Sequence, residues 1–182
     1  MAYNPNKWGE IPCFPMFSQI KAGMPLFTGK FDYSVDDKGR LSVPARLRDQ
    51  LPPVGGAAAS KETAETSVII TCLTGAEHLS VYTEEDFLRL LQSITVSGHE
   101  RADEYVRSTS AEAETVFLDK QGRVQLSPEL RRKAGITREV VVTGVFRRIE
   151  IWAADRWDQR QKTLEAAPKV RPKDFGVPPD LG

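Results

Sequence analysis

A short turn that contains an aspartate, a glycine and an arginine occurs twice in this sequence, and its chemistry suits anion binding. The residues are Asp36, Gly39 and Arg40 in V-D-D-K-G-R, and Asp119, Gly122 and Arg123 in L-D-K-Q-G-R. An arginine fork can hold a phosphate, or the O6 and N7 atoms of a guanine, through two parallel hydrogen bonds. A neighbouring aspartate can orient that fork. The repeated turn is therefore the first candidate for a binding site.

The same residue types also have a structural explanation. An aspartate at the first position of a type I turn accepts hydrogen bonds from nearby backbone N–H groups, and a glycine at the fourth position tolerates a positive φ. Apolar residues flank both turns, as expected for hairpins. In this interpretation Asp36 and Asp119 only fix their turns, and the arginines pair within the protein or between subunits. The residues alone leave both interpretations open.

The repeat extends beyond the turns and indicates a duplicated unit. Leu47 and Arg48 recur as Leu130 and Arg131 at the same spacing as the turns, 83 residues. Further along, V-I-I-T at 68–71 matches V-V-V-T at 140–143, and L-S-V-Y matches I-E-I-W. Matched segments in one order predict two copies of one structural unit, with insertions between them.

The residue pattern of each copy predicts a strand, the turn, a second strand, a short basic helix, an apolar hairpin and an acidic helix. Ser127, Pro128 and Gly135 supply the start and stop signals of the second basic helix. The stripe of Phe87, Leu90, Leu91 and Ile94 predicts a helix face that packs on the core. We therefore expect an α+β protein, mainly β with short helices. A copy of about 50 residues buries too little surface alone, so the copies must share a core or interlock.

Composition excludes several classes of protein. The chain has 182 residues, 40% of them hydrophobic, and its apolar stretches are too short to span a membrane. Its first residues lack the pattern of a signal peptide, which predicts a cytoplasmic protein. Cys13 and Cys72 show no metal-binding or disulfide spacing, so we expect both to be reduced. Basic and acidic residues are equal in number at 25 each, yet residues 119–138 hold 6 basic and 2 acidic side chains. Positive charge is therefore concentrated around a repeated turn.

Nothing in the sequence indicates an enzyme. His78 and His99 lie in unlike contexts without a nucleophile or ligand motif, so we expect no catalytic residues, metal, cofactor or small-molecule substrate. Arg147 and Arg148, at the tip of the second apolar hairpin, form a rival basic patch. That patch suits a solvated surface or a subunit interface better than a binding site.

The stretches L-F-T-G-K-F-D-Y-S-V-D-D-K-G-R-L-S-V-P-A-R-L-R, L-D-K-Q-G-R and E-V-V-V-T-G-V-F-R-R-I-E-I-W resemble the MraZ family of bacterial regulators over about residues 26–162. The resemblance implies two tandem swapped-hairpin AbrB-like halves that form a pseudo-twofold double-psi type β-barrel. It also implies a ring-like homo-oligomer of about eight to twelve subunits. Members of the family bind direct repeats in double-stranded promoter DNA, upstream of the division and cell wall gene cluster. The implied location is the cytoplasm, in association with the nucleoid.

The family's aspartate and arginine fall on both turns of this chain. The resemblance and the local charge together predict seven DNA-binding residues: Lys38, Arg40, Arg46, Arg48, Lys120, Arg123 and Arg131. The predicted turn-defining residues are Asp36, Gly39, Asp119 and Gly122. We expect Arg40 to matter more than Arg123, because Lys38, Arg46 and Arg48 are close to it in the sequence. The family's early arginine is Thr28 here, and A-E-A at 111–113 and L-S-P at 126–128 also depart from the family pattern.

The predicted organisation has four parts. Residues 1–25 form a flexible N-terminal extension, 26–98 the first AbrB-like repeat with its helix, 99–165 a connecting helix and the second repeat, and 166–182 a loose tail. The segment 52–66 is an insertion whose composition predicts a mobile loop. AbrB-like domains also occur in antitoxins that bind a toxin and their own promoter. Such antitoxins carry one half per chain and a toxin-wrapping tail, whereas this chain has two halves and a short tail. An antitoxin is therefore the alternative function.

Overall fold

The computed structural model describes residues 25–53 and 65–175, which form eight strands and five α-helices. The strands are β1 (Phe27–Ser34), β2 (Arg40–Ser42), β3 (Ser67–Thr71), β4 (His78–Tyr82), β5 (Glu114–Phe117), β6 (Arg123–Gln125), β7 (Glu139–Phe146) and β8 (Arg148–Ala153). The helices are α1 (Ala45–Arg48), α2 (Glu84–Thr95), α3 (Ala102–Ala111), α4 (Pro128–Ala134) and α5 (Ala154–Ala166), followed by a 3₁₀ turn at Pro172–Phe175. The expected α+β class with antiparallel strands and short helices is confirmed.

Three predicted features lie outside the described residues, wholly or in part. These are the N-terminal extension with Cys13, most of the 52–66 insertion, and the last seven residues of the tail.

The two copies contain the same elements in the same order. The first runs β1, β2, α1, β3, β4 and α2, and the second runs β5, β6, α4, β7, β8 and α5, with α3 between them. Local signals set these boundaries as expected. The Ser127 hydroxyl accepts a hydrogen bond from the Leu130 backbone N–H at 3.2 Å, and Gly135 ends α4 in the left-handed conformation with φ 67°.

The two copies exchange strands within one antiparallel sheet. The strand order is β1-β7-β8-β4-β3-β5, which reads the same in reverse when the two copies are interchanged. β1 pairs with β7 of the second copy over eight residue pairs, from Phe27 opposite Phe146 to Ser34 opposite Glu139. β5 pairs in turn with β3 of the first copy, from Glu114 opposite Ile70 to Phe117 opposite Ser67. Each copy thus completes the sheet of the other, which is the predicted interlocking.

The sheet is open, so the closed barrel that the resemblance implies is not formed by the strand pairs of the described residues. β1 and β5 are its edges, and β2 pairs only with β6 in a separate two-stranded ribbon. A single bridge between Val35 and Leu41 links β1 to the ribbon. Each ribbon strand also accepts a backbone hydrogen bond from its own turn, from the Asp36 N–H to the Arg40 carbonyl and from the Asp119 N–H to the Arg123 carbonyl, both at 2.9 Å.

The shared core lies between this sheet and the ribbon. Leu41 of β2 and Val124 of β6 are buried in it, together with Leu47 of α1 and Leu130 of α4. Side chains alternate between the two faces of a strand, so the neighbours of Leu41 and Val124 face away from the core. The ribbon therefore closes the core with one face and presents Arg40 and Arg123 on the other.

The strand exchange predicts that a cavity in β1 destabilises both copies together. Phe27 is fully buried at the first β1–β7 pair, so Phe27→Ala is expected to lower the free energy of unfolding by about 3–5 kcal/mol. Phe117→Ala, on the exposed edge strand β5, is the control and is expected to cost about 0.5 kcal/mol or less. Urea unfolding followed by tryptophan fluorescence and by backbone amide signals from both copies measures this. Separate transitions for the two copies would contradict it.

Candidate nucleic-acid interface

The two Asp-x-x-Gly-Arg turns have nearly the same geometry. Oδ1 of Asp36 accepts hydrogen bonds from the backbone N–H groups of Lys38 at 2.9 Å and Arg40 at 2.8 Å. Oδ1 of Asp119 accepts the equivalent bonds at 2.8 and 3.0 Å. The glycine N–H donates to the aspartate carbonyl at 2.8 Å in both turns, and the glycine φ angles are 78° and 73°. A carboxylate and a left-handed residue thus close each turn, as the chemistry of these residue types requires.

The second carboxylate oxygen holds the arginine. Nε and Nη2 of Arg40 both lie 2.7 Å from Oδ2 of Asp36, and Arg123 makes the same two contacts with Asp119, also at 2.7 Å. Two of the five guanidinium N–H groups are used in this way, and three on Nη1 and Nη2 remain for an external acceptor. The side chains are 32% exposed at Arg40 and 26% exposed at Arg123. Both forks are therefore oriented by the protein and open to solvent.

The arginines keep their partner carboxylates ionised. The hydrogen bond from the Arg40 side chain, followed by that from its backbone N–H, lowers the pKa of Asp36 from 3.8 to about 2. Arg123 lowers the pKa of Asp119 in the same way. At neutral pH each turn therefore presents a neutral ion pair whose guanidinium edge points outward.

The ribbon brings both arginines onto one face. Arg40 lies opposite Gln125, and Ser42 lies opposite Arg123, with the buried Leu41–Val124 pair between them. Arg40 and Arg123 are therefore diagonal neighbours across two antiparallel strands, close enough to contact one ligand. The sequence separates the two motifs by 83 residues, and the strand pairing makes them one site.

The other predicted residues fall into two groups. Lys38, Arg46 and Lys120 are exposed around the turns and can add positive charge there. Arg48 and Arg131 lie across the ribbon, because each contacts the glycine of the other copy's turn. The expectation that Arg48 supports Arg40 needs correction in this respect, since the side chain of Arg48 lies against the turn of Arg123. This contact could not be predicted from closeness in the sequence, because the helix and the turn come from different copies.

Arg147 and Arg148 do not form a solvated basic patch. Arg147 donates from Nε to the buried carboxylate of Asp86 at 2.7 Å, and its Nη2 also contacts that carboxylate. Arg148 donates to Glu150, another buried acid, at 2.9 Å from Nε and 2.7 Å from Nη2. Arg147 ties the β7–β8 hairpin to Asp86 of α2, whereas Arg148 pairs with Glu150 within β8. No sequence pattern signalled the Arg147–Asp86 pair.

The two histidines lie in different surroundings. His78 stacks on Trp152 with ring centroids 4.3 Å apart, and burial lowers its pKa despite the Glu150 carboxylate 3.5 Å away. His99 is exposed, and Cys72 is a buried thiol whose pKa is raised by burial.

Over 25–53 and 65–175, no group of three or more His, Cys, Asp or Glu side chains could hold a metal ion. The helices of these segments are too short or too polar to cross a membrane.

Two interlocked copies with paired arginines on one shared ribbon define a pseudo-symmetric α+β protein whose exposed guanidinium groups have the chemistry to bind an anion. Proteins named "Transcriptional regulator MraZ" from Thermomicrobium roseum and Corynebacterium efficiens are 35% and 37% identical to it, each over 78% of this chain and 91% of the relative. This chain belongs to the MraZ family. A relative of the same name from Mycolicibacterium gilvum is 34% identical over 77% of this chain and 90% of its own length. The family model described as "MraZ protein, putative antitoxin-like" matches residues 110–174.

The carboxylate–arginine pairing predicts an unusually acidic Asp36. Because folding lowers this pKa, the pairing stabilises the turn above pH 3.8 and is lost as the pH falls towards about 2. In a carboxyl-detected NMR titration, the midpoint for Asp36 is expected near 2, and Arg40→Ala is expected to shift it towards 3.8. Arg107→Ala, on the exposed surface of α3, is the control. An Asp36 midpoint that does not respond to Arg40→Ala would contradict the pairing.

Proposed function

We propose that this protein is a DNA-binding transcriptional regulator that recognises direct repeats in promoter DNA, upstream of the division and cell wall gene cluster. The observation that carries the proposal is the pair of carboxylate-held arginine forks on the exposed face of one β-ribbon. The names of the relatives support a role in transcription. Such a protein acts in the cytoplasm on the nucleoid and requires no metal, cofactor or small-molecule substrate.

The shape of the ribbon fits the major groove of B-DNA. That groove admits a two-stranded β-ribbon, and arginine bonded to O6 and N7 of guanine is the commonest specific contact there. Arg40 and Arg123 would each read one guanine, with Nη1 and Nη2 facing the base and Nε held by the aspartate. Lys38, Arg46 and Lys120 would contact phosphates, which position the protein without reading sequence.

The exchange of β1 and β5 between the copies supports two swapped-hairpin AbrB-like halves of the double-psi type. The boundaries we propose are 26–98 for the first half and 99–165 for the second, which includes the connecting helix α3. Residues 1–25 and 166–182 would flank this unit. The ribbon lies at the junction of the two halves, so both halves build the DNA-binding surface.

A protomer with equal numbers of basic and acidic residues has no net positive charge with which to hold DNA. Several linked protomers on adjacent repeats would gain affinity through effective concentration without new contacts. We therefore propose a ring-like homo-oligomer of about eight to twelve subunits, in line with the resemblance. Light scattering at micromolar concentration is expected to give the mass of such a closed assembly. A monomeric mass would contradict this proposal.

The description "putative antitoxin-like" supports one alternative, a protein that binds a toxin as well as its own promoter. The ribbon arginines would serve promoter binding in either case. Purification of the tagged protein from its native extract separates the two, because a stoichiometric small toxin would favour the alternative. Promoter DNA without such a partner would favour the regulator.

Replacing the ribbon arginines is expected to remove DNA binding without unfolding the protein. Arg40→Ala should abolish specific binding. Arg123→Ala should weaken it less, because the surroundings of Arg40 keep the family pattern, whereas A-E-A at 111–113 and L-S-P at 126–128 depart from it in the second copy. Each lost bidentate contact costs about 1–3 kcal/mol per engaged subunit. Fluorescence anisotropy on the upstream repeats, with gel filtration alongside, measures both effects, and Arg107→Ala is the control. Wild-type affinity of oligomeric Arg40→Ala would show that the turn is structural only.

A further inference from the structure

Each of the two turns is covered by an arginine from the other copy. Arg48 follows Leu47 at the end of α1 in the first copy, and its side chain lies on Gly122 of the second turn. Arg131, its counterpart in α4, lies beside Gly39 of the first turn, where Gln125 and Leu126 come closer to the glycine. The two contacts are related by the pseudo-twofold that interchanges the copies, so the arrangement occurs twice in one molecule.

The space above each glycine is filled. A Cβ atom added to Gly122 would lie 2.3 Å from Nη1 and 2.7 Å from Cδ of Arg48. A Cβ atom on Gly39 would lie 2.9 Å from Nε2 of Gln125, 3.0 Å from the Leu126 carbonyl oxygen and 3.4 Å from Cζ of Arg131. Glycine is therefore required at both positions for its positive φ and also for the close approach of the other copy.

Backbone hydrogen bonds join the turns to the other copy at the same points. The Gly122 carbonyl accepts from the Val43 N–H at 3.0 Å, and the Gly39 carbonyl accepts from the Leu126 N–H at 2.8 Å. Nε2 of Gln125 also donates to the Lys38 carbonyl at 2.6 Å. Each turn is thus fixed on one side by its own aspartate and on the other side by the opposite copy.

We propose that Arg48 and Arg131 are positioning residues, each of which holds the arginine turn of the opposite copy. The proposal rests on the proposed DNA-binding function and assigns these two residues a role other than phosphate contact. The side chain of Arg131 is partly buried beside the first turn, and its Cζ would lie 3.4 Å from a Cβ atom on Gly39. Leu47 and Leu130 anchor the two helices in the core, so the covering arginines have rigid supports.

The consequence for binding is that the two forks move as one unit. Without the arginine side chain of the opposite copy, a turn could move, and Arg40 and Arg123 would shift relative to each other. Two contacts to one DNA segment require a fixed separation, so this movement would weaken binding. Arg48 should therefore act through Arg123, and Arg131 through Arg40.

Three substitutions of Arg48 separate packing from charge. Lysine keeps both the aliphatic stem and the charge, methionine keeps a stem without the charge, and alanine removes both. We expect Arg48→Ala to weaken binding to the upstream repeats about tenfold, and Arg48→Met and Arg48→Lys to stay within about threefold of wild type. The slope of log affinity against log salt should not change with Arg48→Met, because a lost phosphate contact would lower it by about 0.9. Arg107→Met on the exposed surface of α3 is the matched control.

A second measurement needs no DNA. In amide exchange and chemical-shift maps of the whole protein, Arg48→Ala is expected to perturb Gln121, Gly122 and Arg123 more than Lys38, Gly39 and Arg40. Arg131→Ala is expected to give the reverse pattern. If these shifts appear but even the wild-type protein fails to bind the repeats, the proposed function is wrong. The positioning of each turn by the arginine of the opposite copy is then still confirmed.

Two outcomes would overturn the proposal itself. One is that each substitution perturbs the turn of its own copy. The other is that Arg48→Met loses as much affinity as Arg48→Ala and lowers the salt slope, which would make Arg48 a phosphate contact.

Discussion

The pairing of β1 with β7, and of β5 with β3, joins the first strand of each copy to the apolar hairpin of the other. Neither copy can satisfy the backbone hydrogen bonds of its own sheet, and unpaired buried N–H and C=O groups are costly. The two halves must therefore fold around one core. The β2–β6 ribbon follows from this constraint. β2 follows β1 and β6 follows β5 in the chain, so β2 and β6 meet because β1 and β5 each pair with a strand of the opposite copy. The functional surface depends on that meeting.

Electrostatics then decides which arginines of this surface face outward with available donors. Asp36 and Asp119 each use one oxygen for backbone N–H groups and the other for the guanidinium, so turn and fork are fixed by the same carboxylate. Arg147 and Arg148 are instead drawn to buried Asp86 and Glu150, where they neutralise charges in the interior. Basic residues of the same type thus keep free donors towards solvent in one place and balance buried charge in another.

The two halves of the ribbon are similar in backbone and different in side chains. At matched positions the first copy has Lys38, Ser42 and Arg46, and the second has Gln121, Gln125 and Glu129. Asp37 of the first turn is matched by Lys120 of the second, so the two arginines have differently charged neighbours. A ligand with twofold symmetry would meet unequal partners, which suits a directional repeat better than a palindrome.

Much of this architecture could be predicted from the sequence because its causes are local. The turn chemistry of Asp36 and Gly39, the cap at Ser127 and the β-branched run V-V-V-T each depend on residues a few positions apart. The matched spacings also revealed the duplication, and its small unit size required the copies to share a core or interlock.

Tertiary structure decided which copy each element serves. The placement of Arg48 on Gly122, the open form of the sheet, and the capture of Arg147 by Asp86 all join residues that are distant in the chain. Strand register and side-chain reach set such contacts, and neither leaves a local sequence signal. The sequence by itself determined that there are two arginine turns, and only the folded chain made them one surface, because the strands that carry them pair across the pseudo-twofold.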